Sequence, residues 1–112
     1  MTFHNARILL VDDDEFCLLF TSDILKTIGH CAQTAQGGNY ALDLIAQRIV
    51  SYRNGDCPVL FDLIVTDFSM PQMDGPQLIE AIRTLCDHED IRQPYITCCT
   101  SYTDDTFANR AF

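Results

Sequence analysis

Tryptophan is absent from this chain, lysine occurs once (Lys26), and seven basic side chains face sixteen acidic ones. The resulting formal charge of −9 and a pI near 4.4 produce a field that repels phosphodiester backbones. Direct nucleic-acid binding is therefore not expected, whereas divalent cations or a basic partner surface suit that field. No apolar run reaches membrane-spanning length, and the N-terminus has no basic segment leading into a signal-type apolar core. The expectation is a cytoplasmic location with no membrane segment. Linkers, low-complexity stretches and internal repeats are also missing, so the 112 residues are read as one domain, 1–112, with a single core. Six cysteines are present (Cys17, Cys31, Cys57, Cys86, Cys98, Cys99), but no C-x-x-C pair and no Cys/His cluster at zinc spacing. They are read as reduced thiols in the core or on the surface.

What is present alternates. Ile8-Leu9-Leu10-Val11 is a short run of strand formers that ends in Asp12-Asp13-Asp14-Glu15. From Phe16 the period changes, and Phe16, Leu19, Phe20, Ile24 and Ile28 recur at three-and-four spacing as the apolar face of a helix. Asp14 suits its N-cap and Gly29 its C-terminal stop. A weak strand over 31–35 follows, and a helix over 39–52 places Ala41, Leu42, Ile45 and Ile49 on one face.

Leu63-Ile64-Val65 then reads as a strand buried on both faces, stopping at Asp67. Asp74 and Gly75 read as a turn, and Pro76 suits the first turn of a helix marked by Leu78, Ile79, Ile82 and Leu85. A last strand over 95–99 ends in Thr100, and Thr103-Asp104-Asp105 is placed to open a fourth helix. Such alternation implies an α/β fold with a parallel sheet and right-handed crossovers. The carboxyl ends of all its strands share one rim, which brings Asp12, Asp13, Asp67 and Thr100 together. Clustered carboxylates must hold protons or bind a cation. Hard oxygen ligands suit Mg²⁺, and a carboxylate beside it is a nucleophile for phosphorus.

Three segments (8–14, 67–75 with its Met70-Pro71 and Met73-Asp74-Gly75, and 94–101) together resemble the receiver domain of two-component response regulators. The resemblance implies a flavodoxin-like doubly wound sheet of order 2-1-3-4, here with the fifth strand and fifth helix missing. It implies a phosphorylation-dependent signalling domain, not an enzyme in its own right. Asp67 would be the phosphoacceptor for a phosphoryl group from a phosphohistidine, donated by a histidine kinase or a histidine phosphotransfer protein. Asp12, Asp13, Asp67 and the Ser69 backbone carbonyl would hold Mg²⁺, and Thr100 would be the switching hydroxyl. Ser69 and Tyr102 would occupy the positions that tune phosphoryl lifetime.

The chain departs from the family in one respect. The lysine that receivers carry at the end of a fifth strand has no counterpart, since Lys26 lies in the first helix. The expectation is a C-terminally incomplete receiver, from a hybrid histidine kinase, that self-associates through its open sheet edge. Two alternatives stand beside it: a pseudo-receiver that binds partners without phosphorylation, and a metal-dependent phosphohydrolase. The latter would need a second acid where Ser69 stands.

Overall fold

The computed structural model describes residues 6–56 and 60–99. In chain order these form β1 (Arg7–Val11), α1 (Glu15–Thr27), β2 (Cys31–Ala35), α2 (Gly38–Arg53), β3 (Leu63–Asp67), α3 (Gly75–His88) and β4 (Tyr95–Cys99). Among the described residues the strands make one sheet, parallel as the alternation implied and in the order β2-β1-β3-β4 that the resemblance implied. Thr100 and the helix expected from Thr103 lie outside the described residues.

Strand alternation divides the interior into two layers. Leu9, Val11 and Ile64 point to the side covered by α2 and α3, where Ala41, Ile45, Leu78, Ile82 and Cys86 close the main core. Ile8 and Leu10 point the other way, to Leu18 and the partly buried Leu25 of α1. Leu9, Ile45, Ile64, Leu78 and Ile82 are wholly buried, each stabilising the fold by roughly 1.5–3 kcal/mol. The larger core therefore lies on the α2/α3 face, and it anchors the two strands, β1 and β3, that carry the acids.

Helix α1 departs from the sequence reading. Phe16, Leu19, Phe20, Ile24 and Ile28 are exposed, Phe16 at 83% and Phe20 at 69%, and Leu18 is the buried residue of the helix. The reason is positional: α1 lies over β1 and β2 and buries only the narrow stripe of Leu18 and Leu25, one heptad apart. Its apolar arc is wider than the sheet surface it meets. Tyr40 and Tyr52 are exposed as well, while Phe61 is buried.

The helix ends follow local chemistry. Asp14 caps α1, its Oδ1 accepting from the Phe16 amide at 2.9 Å. The helix stops where the Gly29 amide donates to Lys26 O (3.2 Å) and the His30 amide to Leu25 O (2.9 Å), with Gly29 at φ +92°. Asp74, read as a turn residue, is in fact the N-cap of α3. Its Oδ1 accepts from the Gln77 amide (2.8 Å), and Gln77 Oε1 accepts from the Asp74 amide (3.0 Å). Spacing alone hid this, because an Asp-Gly pair signals a turn and a cap equally well.

Two residues near the start of β1 have identifiable partners. His30 Nδ1 accepts from the Ala6 amide at 3.3 Å. The Asp62 carboxylate accepts from the Arg7 amide at 2.7 Å, which pins the start of β1. His88 lies exposed in the last turn of α3. Cys17, Cys31, Cys86, Cys98 and Cys99 are all free thiols, as expected.

Candidate functional site

The carboxyl ends of β1 and β3 are neighbours because the two strands pair directly, Val11 opposite Thr66. One residue beyond each pair stand Asp12 and Asp67. Carboxylate oxygens of Asp12, Asp13 and Asp67 all lie within 4.8 Å of one another. Asp13 is exposed, and the other two are half-buried. The sequence placed these three together on one rim, and the structure brings them together there.

Asp12 and Asp67 are held by backbone. The Asp12 amide donates to Ala35 O at 3.2 Å, and Asp12 Oδ1 accepts from the Asp14 amide at 3.0 Å. Asp67 Oδ1 accepts from the Phe68 amide at 2.9 Å. The Phe68 amide also reaches Cys99 O on β4 at 2.7 Å, and Phe68 O accepts from the Gly75 amide at 2.8 Å. The chain after the acid is thus tied both to β4 and to the start of α3. Gly75 makes this closure possible, since a Cβ there would lie 2.6 Å from both Asp67 O and Cys98 Sγ.

Burial raises the Asp12 carboxyl above its ordinary value, with the Asp67 charge adding to the effect and the Asp14 amide opposing it. Burial likewise raises Asp67, with the Asp13 charge adding and the Phe68 and Ser69 amides opposing. An acid site that resists its own ionisation gains from a cation. Three carboxylate oxygens so spaced are the hard donor set that Mg²⁺ takes, so the residues present fit that ion.

A cavity of about 300 Å³ opens beside the acids, lined by Asp12, Asp67, Cys17, Thr21, Val65 and Cys99 among others. No motif or spacing marks Cys17 and Cys99 as flanking the site. Cys17 is raised by its hydrogen bond to Asp14, and Cys99 by burial and then by the Asp67 charge. Both thiols are therefore protonated near neutral pH and poor nucleophiles. Ser69 sits exposed two residues beyond Asp67. Lys26 occupies the last turn of α1, at the opposite end of that helix from the acids. It is therefore not placed beside the acids. Thr100 and Tyr102, expected beside Asp67, lie outside the described residues.

A doubly wound parallel sheet with a cluster of acids at its carboxyl rim defines a class of α/β domains that carry their polar site at that rim. Within that class, the chain belongs to the response regulator receiver domain family, whose model matches residues 8–112. It is 35% identical over 79 residues to the two-component response regulator ARR22 of Arabidopsis thaliana, covering 70% of this chain and 49% of that protein. It is 29% identical over 104 residues to the sensor kinase CckA of Brucella abortus, covering 93% of this chain and 10% of the kinase. The chain spans from about a tenth to about half of the length of such curated relatives.

Among solved structures it resembles the receiver domain of the histidine kinase CKI1 of Arabidopsis thaliana complexed with Mg²⁺ and BeF₃⁻. The TM-score there is 0.80 at 25% identity, covering 95% of this chain and 72% of that one. The fold is thus that of a two-component signalling receiver. No helix among the described residues is long and apolar enough to cross a membrane.

Proposed function

We propose that this domain takes a phosphoryl group from a phosphohistidine onto Asp67 and signals through the resulting change at the rim. The observation that carries the reading is the meeting of Asp12, Asp13 and Asp67 within 4.8 Å, with amides orienting Asp67. In the transfer, an Asp67 carboxylate oxygen forms a bond to phosphorus while the bond from phosphorus to the donor imidazole nitrogen breaks. The imidazole leaves and takes up a proton, and an aspartyl phosphate remains. Asp67 Oδ1 is held by the Phe68 amide, which fixes the plane of the attacking carboxylate. Asp12, Asp13, Asp67 and the Ser69 backbone carbonyl would hold Mg²⁺, which supplies positive charge where the phosphoryl group meets the acids. Thr100 is the hydroxyl assigned to the phosphoryl oxygen.

The donor is a histidine kinase or a histidine phosphotransfer protein. Phe16, Leu19 and Phe20 lie exposed on the turns of α1 that follow the acidic loop. They offer such a donor an apolar landing surface beside the site. That the receiver CKI1 is known with Mg²⁺ and BeF₃⁻ supports the same chemistry here.

The alternative reading is a pseudo-receiver that binds partners without phosphorylation. Incubation with a small acyl phosphate and Mg²⁺ separates the two. Uptake of one phosphoryl group, lost in Asp67→Asn, supports the first reading. Mg²⁺ binding with no uptake from either an acyl phosphate or a phosphohistidine donor supports the second.

A further inference from the structure

The three acids repel one another, so their spacing must be held by something other than themselves. The turn between β2 and α2, together with the first residues of α2, touches both loops that carry them. On one side Gln36 Nε2 donates to Asp13 O at 3.1 Å, next to the bond from the Asp12 amide to Ala35 O. On the other side Asn39 Nδ2 donates to Gln72 Oε1 at 3.3 Å. Between them lies Gly38, which is buried and packed so tightly that a Cβ would fall 2.8 Å from Met73 Sδ and 3.0 Å from its Cγ.

The loop gripped in this way is bent as well as held. Gln72 adopts φ +69°, a left-handed conformation that a non-glycine residue keeps only when its surroundings impose it. The same loop starts at Asp67 and ends at the Asp74 cap. A segment of four residues, 36–39, therefore braces the acidic loop after β1 against the phosphoacceptor loop after β3, although these are more than fifty residues apart in sequence.

We infer that Gln36 and Asn39 are positioning residues that, with Gly38 seated on Met73, fix the separation of Asp13 from Asp67 and so set how tightly the rim holds a divalent cation. The inference rests on the phosphoacceptor reading for its consequence, the cation affinity. The bracing itself is a property of the metal-free chain. Neither amide is placed at the reacting atoms: Gln36 acts through the Asp13 carbonyl and Asn39 through Gln72.

The test uses the full chain with Gln36→Leu, which keeps bulk and removes the donor, and two independent readouts. In Mg²⁺ titration calorimetry on folded protein, the variant should bind roughly three- to tenfold more weakly, as expected for the loss of one exposed neutral hydrogen bond. In metal-free protein, amide exchange at Met73 and Gly75, on the opposite loop, should quicken. Gly38→Ala should weaken binding similarly by pushing Met73 aside, and adding Met73→Ala should restore it. A merely structural role would lower stability without that recovery.

Unchanged exchange across residues 68–75 in Gln36→Leu, or Mg²⁺ affinity within about twofold of wild type, would overturn the inference. A wild-type chain that binds no Mg²⁺ would instead defeat the phosphoacceptor reading. The exchange comparison would still decide the bracing.

Discussion

Replacing Asp67 by Asn should stabilise the metal-free protein even as it abolishes phosphoryl uptake. The side chain keeps its shape and its Oδ1 acceptor for the Phe68 amide, but one of three mutually repelling charges goes. At 4.8 Å, the outer limit of the spacing, a pair of unit charges costs about 0.9 kcal/mol at the dielectric of water and about 3.5 kcal/mol at an effective value of about 20. Asp12 and Asp67 are half-buried and Asp13 is exposed, so screening favours the lower end. Two relieved pairs then give about 1–2 kcal/mol, or roughly 5–10 °C in midpoint for a domain of this size.

The pH dependence has a definite sign. Burial, then the Asp13 charge, raises Asp67 above 3.8 in the folded chain, so the folded state holds its proton to higher pH than the unfolded state. Wild-type stability in chelator should therefore fall as pH rises above about 4 through the folded value. The slope should flatten in Asp67→Asn, and Mg²⁺ should remove it in wild type. Thermal unfolding followed by circular dichroism in chelator, between pH 4 and pH 8, makes the comparison. A variant that is less stable than wild type at pH 7, or equally dependent on pH, would refute the electrostatic account of the site.

Three further outcomes follow from particular contacts. Asp14→Ala should lower stability by about 1 kcal/mol through loss of the α1 cap, yet weaken Mg²⁺ binding less than Asp13→Asn does, as titration of both variants would establish. Gly75→Ala should cost about 1–3 kcal/mol in urea unfolding, because the new methyl meets Asp67 O and Cys98 Sγ. Phe16→Ser with Phe20→Ser should leave the unfolding midpoint nearly unchanged, since both rings are already exposed. The same pair should slow transfer from a protein phosphohistidine donor while leaving labelling by a small acyl phosphate intact.

Much of this was legible in the residues because local chemistry and tertiary structure agree. Leu63-Ile64-Val65 and Ile8-Leu9-Leu10-Val11 are apolar without alternation because both faces of their strands are covered. Asp14 sits where a helix start needs an acceptor. That the strands are parallel, so that Asp12, Asp13 and Asp67 share one rim, follows from the alternation and from where each run ends, whereas the strand order comes from the resemblance to receivers. Elsewhere pattern underdetermines contact. Period alone cannot tell which arc of α1 meets the sheet: it points Phe16 and Phe20 inward, whereas Leu18 and Leu25 are the residues that pack. Asp74 was hidden by an ambiguous dipeptide. Gln36 carries no sequence signal at all, because its role depends on β2 delivering it beside Asp13, a relation that exists only once the sheet has formed.

The phosphoacceptor role requires Asp67 to become an acyl phosphate. Borohydride reduces such a group to the alcohol, so treating the labelled chain with borohydride and mapping its peptides locates the phosphorylated side chain directly. Homoserine is expected at position 67, dependent on Mg²⁺ and on prior exposure to the phosphoryl donor. Homoserine at position 12 or 13 instead, or labelling that persists undiminished in Asp67→Asn, would contradict it.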